Sequence, residues 1–327
     1  MARVPPTHLY FREPTTPVLM IKLRSIAMHV QTLVVDGMNV FKTALATGRG
    51  LRNSDDIATG GTFHGLRTIL NAYKNFSFES IVVLWDRAPY WRKNYYPEYK
   101  ANRKSERTEQ EILDFEIDYY NFRSSISHLG ILQLDALTFE ADDLAYTVSK
   151  MLDGPTLLWS NDHDWWQLVS PNCSVYAHRV KQLVGVENFH SQTGFVDPKR
   201  YLEAKIIMGD GGDNIPGVSG VGPKKADKYL DGTLSGTLVE KIDEFLESPA
   251  YERNKLLMDL SMCPTDPTQK WVVSKEVPDD SKFQKILTTL QINSLDKKQW
   301  TAIMDIADNG VIANGPLQQY ISGVAHP

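Results

Sequence analysis

The sequence predicts an α/β fold with a mostly parallel central sheet and helices on both faces. Two observations carry this. Apolar runs of strand length alternate with stretches of helical periodicity, the pattern of a doubly wound sheet. Several of those runs also end on a carboxylate, and open parallel sheets collect their ligands at the carboxyl ends of the strands.

Residues 29–36 (HVQTLVVD) read as a buried strand closed by Asp36. Residues 62–73 (TFHGLRTILNAY) have the periodicity of an amphipathic helix, and 80–86 (SIVVLWD) form a second buried strand closed by Asp86. A long helix is expected at 109–129, a short strand at 131–134, a helix at 140–152 and a strand at 156–160, with Asp162 just beyond it. After about residue 190 the pattern becomes helical. Helices are expected at 198–208 and 223–230 around a glycine-rich stretch at 211–222, and then at 238–246, 251–260, 281–290 and 297–308. The division is a disordered extension at 1–29, a sheet domain at 30–190, a helical region at 191–310 and a tail at 311–327.

The extension carries Pro5, Pro6, Pro14 and Pro17, and its one apolar run, Val18 to Ile21, is broken by Lys22 and Arg24. It reads as neither a signal peptide nor a membrane span, and Met28 directly before the first strand suggests an upstream start codon. No later stretch is apolar for long enough to span a bilayer. Two cysteines, Cys173 and Cys263, give no disulfide framework and no metal spacing, which fits a reducing cytosol. The net charge of -5 does not exclude a nucleic-acid partner, because clustered carboxylates supply much of it and distribution matters more than the sum.

Those carboxylates are Asp36 in VVDGMN, Asp86 in IVVLWD, Glu140, Asp142 and Asp143 in FEADDLAY, Asp162 and Asp164 in LLWSNDHDW, and Asp210 and Asp213 in MGDGGDN. Taken singly, each group has a plain alternative: acidic residues favour helix starts, Asp162 suits an N-cap, and Asp is common in glycine-rich turns. Gathered at one sheet edge they would repel one another unless cations lay among them. Hard oxygen donors select Mg²⁺ or Mn²⁺, and a pair of such ions is a common device for breaking a phosphodiester.

Residues 87–107 (RAPYWRKNYYPEYKANRKSER) leave directly from the second strand. Arg87, Arg92, Lys93, Lys100, Arg103, Lys104 and Arg107 alternate with Tyr90, Trp91, Tyr95, Tyr96 and Tyr99. Basic residues among aromatics suit a phosphate backbone and stacked bases; the alternative is a solvated loop on aromatic feet. Residues 213–226 (DNIPGVSGVGPKKA) place Gly217, Gly220 and Gly222 before a helix start bearing Lys224 and Lys225. Between helices this suits a helix-hairpin-helix gripping a duplex backbone, against the alternative of a plain interhelical turn. His163 lies between two proposed ligands, but an Asp-rich site has no need of it; His64, His128, His178 and His190 have no partner spacing suggesting zinc, and Trp165 and Trp166 are expected to pack rather than stack on a base.

The blocks VVDGMNVF, VVLWDRAPYWRKNYYPEYKANR, FEADDLAYTVS, WSNDHDWWQLV and GDGGDNIPGVSGVGPKKA, in that order over roughly residues 30–232, resemble the flap endonuclease or 5′-nuclease superfamily. The likeness is to bacteriophage 5′-3′ exonucleases and the 5′-nuclease domain of bacterial DNA polymerase I. It implies a PIN-like fold and a two-metal phosphodiesterase acting on 5′ flaps or 5′ ends of DNA on a duplex, in flap or RNA-primer removal during replication. By the same resemblance Asp36, Asp86, Glu140, Asp142 and Asp143 serve a first Mg²⁺, and Asp162, Asp164, Asp210 and Asp213 a second, with Mn²⁺ as substitute. Arg92, Lys93 and Lys100 reach the scissile phosphate and Tyr99 stacks on the terminal base. Residues 87–125 form a helical arch, with Arg103 and Lys104 as further DNA contacts, and the hairpin at about 205–232 holds duplex DNA with a K⁺ ion on its carbonyls. A monomer in a bacterial cytoplasm, phage-encoded, is the expected setting, and RNA–DNA hybrids are compatible substrates. The chain departs from the family's pattern at Trp85, His163, Trp165 and Trp166, none of which removes a ligand. Two other readings are a PIN-like RNA-directed nuclease, which the glycine hairpin disfavours, and a non-catalytic DNA-junction binder, which would not need all nine carboxylates.

Overall fold

A computed structural model describes residues 29–103, 107–310 and 317. Seven strands form the main sheet: β1 (His29–Asp36), β2 (Ser77–Trp85), β3 (Leu132–Ala136), β4 (Thr156–Trp159), β5 (Cys173–Ala177), β6 (Gln182–Val184) and, far along the chain, Trp271–Ser274. Two further residue pairs, β7 (Gly209–Asp210) and β8 (Ile215–Pro216), make a separate small ladder, so Trp271–Ser274 is β9. The order across the sheet is β6-β5-β4-β1-β2-β3-β9. The four inner pairings are parallel, and both edge strands, β6 and β9, run antiparallel. The chain builds outward from β1 through β2 to β3, then returns to β4 on the other side. The point between β1 and β4 is therefore the switch point, where the ends of neighbouring strands leave a crevice.

The helices are α1 (Gly37–Thr47), α2 (Gly60–Asn75), α3 (Arg92–Tyr95), α4 (Glu109–His128), α5 (Ala141–Met151), α6 (Phe189–Thr193), α7 (Pro198–Met208), α8 (Pro223–Leu230), α9 (Thr237–Leu246), α10 (Pro249–Met258), α11 (Asp280–Thr289) and α12 (Lys297–Asn309). A 3-10 helix, His163–Leu168, follows β4. The strands sort their side chains by the period of two. Leu33, Val35, Ile81, Val83, Trp85, Leu157 and Trp159 face a core shared with α1, α2, α4, α11 and α12. Val34, Val82, Leu84 and Leu158 face the other core, with α5, the 3-10 helix, α6 and α7.

The expected sheet and its helices are thus present, with additions. The 191–310 region is not helical throughout: β9 pairs with β3, and α11 and α12 pack against the first core through Phe283, Leu287, Trp300 and Ile303. The expected extension at 1–29 and tail at 311–327 lie outside the described residues apart from His29 and Leu317. Among the described residues no helix is long and apolar enough to cross a membrane.

Candidate metal centre

The strand ends and helix starts fix the carboxylates before any ligand is considered. Asp36 closes β1 and caps α1, accepting from the Asn39 amide at 2.9 Å and from Ser160 Oγ at 2.8 Å. Asp86, one residue past β2, accepts from the Ala141 amide at 2.8 Å, which ties the end of β2 to the start of α5. Glu140 caps α5, and Asp142 and Asp143 lie in its first turn, where the macrodipole favours negative charge. Asp162 caps the 3-10 helix after β4, and its Oδ1 accepts from the Asp164 amide at 2.9 Å. Asp210 ends β7, and Asp213 follows in the β7–β8 turn.

Two environments result. Asp36, Asp86 and Asp142 lie together and repel. Burial, then Asp86, pushes the Asp36 carboxyl up to about 7 from 3.8, with a smaller push from Asp162. Burial raises Asp86, although the Ala141 amide opposes it. Asp142 is raised well above the usual carboxylate range by burial and then by Asp162 and Glu140, and its Oδ1 accepts from Trp165 Nε1 at 2.6 Å. Here the protein supplies too little positive charge for the anions it has gathered.

The second environment has protein cations between the carboxylates. Lys100 Nζ contacts Glu140 and lies 3.7 Å from Asp213. Burial alone would lower the Lys100 ammonium, but Glu140 and Asp213 hold it above its ordinary value, so it stays charged. Lys205 Nζ contacts Asp164 and lies 3.1 Å from Asp210. Burial alone would raise Asp210, but Lys205 holds it below the usual range. A cavity of about 10 Å³, lined by Asp142, Asp164, Asp210 and Asp213, lies among these groups, room for one water-sized particle.

Donor chemistry and cavity size both fit a small, hard divalent cation. Among the described residues no three carboxylate, imidazole or thiol side chains converge on one point closely enough to enclose an ion by themselves. The arrangement is an open cleft, which leaves coordination positions for water or substrate oxygens.

Several expected roles do not match this placement. Arg92 is 2 % exposed rather than facing substrate. Its guanidinium donates to both Asp143 oxygens at 2.8 and 2.9 Å, to Glu140 at 3.0 Å and, through Nε, to the Leu257 carbonyl at 2.8 Å. Asp143 also accepts from Trp91 Nε1 at 3.1 Å and from the Glu140 amide at 3.0 Å, so both its oxygens are taken up by the protein. Tyr99, expected on a base, is 2 % exposed and donates its hydroxyl to Glu140 at 2.8 Å and Asp213 at 3.0 Å. Tyr90, Tyr96 and Tyr99 pack into an apolar cluster with Ile206, Ile215 and Leu257, and Trp91 packs into the core beside α5, so the polar ends buried there find protein partners.

Other expected residues remain accessible. Lys93 and Lys224 are exposed; Lys225 is exposed and donates to the Gly220 carbonyl at 2.7 Å. Arg103 is half exposed, donating to the Gly212 carbonyl at 3.0 Å and pairing with Asp213. Lys104 lies outside the described residues. Trp165 and Trp166 are buried, as packing residues should be. Lys205 was missed: within the pattern YLEAKIIM it reads as one polar position of an ordinary helix, and its place beside Asp164 depends on a contact 41 residues away.

The described parts of the basic segment, up to Arg103 and at Arg107, are held at two places. On one side the Lys100 amide donates to the Asp213 carbonyl at 2.9 Å and Asn102 Nδ2 to the Gly211 carbonyl at 2.7 Å. On the other, Arg107 lies over Phe115 at 4.7 Å, and Phe115 packs on Phe41 of α1. The α4 leg is clamped where Asp118 accepts from the Gly61 and Thr62 amides at 2.6 and 2.8 Å.

Gly209 and Gly220 have φ of 70° and 81°, conformations that side chains rarely adopt. Gly217 has a different constraint, since a Cβ there would collide with the Met208 carbonyl at the end of α7. Replacing Gly217 with Ala should therefore destabilise the protein by about 1–3 kcal/mol, read as a lower denaturation midpoint. An unchanged midpoint would mean the approach of 217 to α7 can relax freely.

Known proteins share this chain's family and fold. A family model described as the 5'-3' exonuclease, N-terminal resolvase-like domain, matches residues 31–194. The chain is 29% identical over 246 residues to the 5'-3' exonuclease of Bacillus subtilis (strain 168), covering 70% of this chain and 78% of that one. It is 30% identical over 207 residues to flap endonuclease Xni of Shewanella frigidimarina, covering 61% and 75%. The bacteriophage T5 flap endonuclease, solved with DNA and metal ions, superposes with a TM-score of 0.59 at 24% identity, over 85% of this chain and 99% of that one. That structural likeness speaks to the fold.

Proposed function

The chain belongs to the 5′-3′ exonuclease family, and from that premise we propose that it is a structure-specific 5′ nuclease that hydrolyses DNA phosphodiesters at 5′ flaps or 5′ ends next to a duplex. The observation that carries this is the convergence of carboxylates from β1, β2, β4, the start of α5 and the α7–α8 connection on one open cleft at the switch point of the sheet.

In this reading Asp36, Asp86, Asp142 and Asp162 would hold one divalent cation, and Asp164, Asp210 and Asp213 a second. Mg²⁺ is the natural occupant, with Mn²⁺ as substitute. When bound, such a pair would supply activation of a water nucleophile and charge to offset the leaving oxygen. The protein's own groups do the rest. Lys100 and Lys205, both in the cleft, neutralise non-bridging phosphate oxygens. Arg92 anchors Asp143 and Glu140, and so fixes the start of α5 that presents Asp142. Duplex backbone rests on the 217–225 turn, with Lys224 and Lys225 towards phosphates. Flap or primer processing in DNA replication is the cellular role that suits such a substrate. The test is product mapping with a labelled flap on a duplex: a cut at the junction supports flap cleavage, successive mononucleotides support 5′-3′ exonuclease action, and an intact substrate with Mg²⁺ and Mn²⁺ contradicts the proposal.

Metal and proton compete at Asp36. Its folded-state pKa of about 7 exceeds the reference 3.8, so the folded protein binds the extra proton between those values. Stability contributed by that proton is present below pH ~4, is lost as pH rises towards 7, and amounts to at most about 4 kcal/mol. A bound cation replaces it. The rise in Tm on adding Mg²⁺ should accordingly be larger at pH 8 than at pH 5.5; an equal rise at both would detach the metal from this carboxylate.

A further inference from the structure

The two halves of the carboxylate cleft are held by different chemistry. Lys205 lies between Asp164 and Asp210, and Lys100 reaches Asp213. Around Asp36 and Asp162 the protein uses neutral groups instead. Ser160, fully buried, donates its hydroxyl to Asp36 Oδ2 at 2.8 Å and accepts from the Asp162 amide at 3.0 Å. Between Ser160 and Asp162 stands Asn161. Its Oδ1 accepts from the Arg179 amide at 2.8 Å, just beyond the end of β5. Its Nδ2 donates to Asn39 Oδ1 in α1 at 2.8 Å and to His178 Nε2 at 2.7 Å. The Asn161 amide also donates to Asn39 Oδ1, at 3.1 Å, and the Asn39 amide in turn donates to Asp36 at 2.9 Å.

The roles within this network are fixed. Arg179 brings a backbone donor, so the Asn161 oxygen must face it and the amide nitrogen must face Asn39 and His178. His178 therefore accepts through Nε2, which requires a neutral ring. Burial lowers the His178 pKa from 6.5 to about 4, and the ring lies parallel to Trp159 with the planes 3° apart. Neutrality matters because of the charges nearby. After burial, Asp162 is the strongest influence raising the Asp142 carboxyl, and it raises Asp36 as well. Without a cation this repulsion pushes the turn that carries Asp162 away from β1. A lysine at that place would hold the turn but cancel the charge that draws a cation. Amides and a neutral imidazole hold the turn and leave the charge intact.

We propose that Asn161, locked between Asn39 and His178, is a positioning residue that holds Asp162 beside Asp36 against their repulsion, and so strengthens divalent-cation binding in this half of the cleft. The role rests on the metal-dependent 5′-nuclease reading and deepens it, by naming what preorganises the ligands of one cation.

The experiment titrates the full chain with Mg²⁺, and separately with Mn²⁺, at pH 8 without DNA, and reads the rise in Tm. Asn161→Leu keeps the side-chain size and removes every hydrogen bond of the side-chain amide. Its titration midpoint should move to about 10-fold higher metal or more, the range for losing a group that orients metal ligands. His178→Leu should shift the midpoint in the same direction by a smaller factor. His178→Gln should bring it back to within about 2-fold of wild type, because the glutamine oxygen can accept where Nε2 did. A side chain that only closed a turn would lower the Tm in EDTA and leave the midpoint in place. That result for Asn161→Leu and His178→Leu would overturn the proposal, as would equal shifts for His178→Leu and His178→Gln. If Asn161→Leu does not fold, the two His178 variants decide. Cleavage of a labelled flap, scored in parallel, separates the two readings. A wild type that cleaves, with unmoved midpoints in the variants, removes the positioning role alone. A wild type that binds metal but cleaves nothing, with the midpoints shifted as expected, removes the nuclease reading and leaves the positioning role. A wild-type Tm that responds to neither metal would overturn both.

Discussion

Asp142→Asn should lower kcat by about 10³-fold or more while leaving the Kd for DNA within a few-fold, since it removes charge needed in the transition state rather than contacts to the bound duplex. Asp142 is chosen because it belongs to both parts of the cleft. It feels the charge of Asp162, Glu140 and Asp36, and it lines the small cavity with Asp164, Asp210 and Asp213. The substitution keeps the shape and an acceptor for Trp165 Nε1. It also relieves repulsion among buried anions, so the variant should be at least as stable as the parent without metal. Parallel losses in kcat, DNA affinity and Tm would mean that Asp142 is structural. Steady-state cleavage, anisotropy in EDTA and thermal denaturation separate the outcomes.

Arg92→Ala should act in the opposite way. It leaves Asp143 and Glu140 buried with their main counter-charge gone, and removing one partner of a buried pair costs about 3–5 kcal/mol. A lower Tm, present equally in EDTA and in Mg²⁺, is the expected result. Arg92→Lys should restore only part of it, because an ammonium cannot donate to both Asp143 oxygens, Glu140 and the Leu257 carbonyl together. Lys100→Ala is the informative contrast: Lys100 retains some exposure, and Arg92 and Tyr99 still serve Glu140, so activity should fall further than stability. An Arg92→Ala protein of normal Tm that fails only in catalysis would return Arg92 to the role its place in a basic segment suggests.

These two residues mark the limit of what the sequence makes legible. The inner strands were readable because β1, β2 and β4 are apolar runs followed by carboxylates, and burial on both faces leaves no other use for such runs. Strands β5, β6 and β9 were not. They are 5, 3 and 4 residues long, partly exposed, and β9 gains its place only by pairing with a strand more than 130 residues earlier. Helix α1 was hidden because Asp36 serves at once as strand end and helix cap. At the site, the carboxylates stood out through their positions after strands and at helix starts. Their division of labour did not. Whether a cation in RAPYWRKNYYPEYK faces solvent or the interior depends on the Leu257 carbonyl of α10, 165 residues away, and Lys205 becomes part of the site only once α7 lies beside Asp164.

The most direct measurement uses a 5′-labelled flap on a duplex, incubated with wild-type protein in Mg²⁺, in EDTA, and in EDTA followed by excess Mg²⁺, with Asp142→Asn run alongside. The predicted result is a defined product with Mg²⁺, none in EDTA, recovery on readdition, and almost none from Asp142→Asn although it binds the substrate. Tight binding with no product under any of these conditions, or cleavage that persists in EDTA, would contradict a metal-dependent 5′ nuclease working through this cleft.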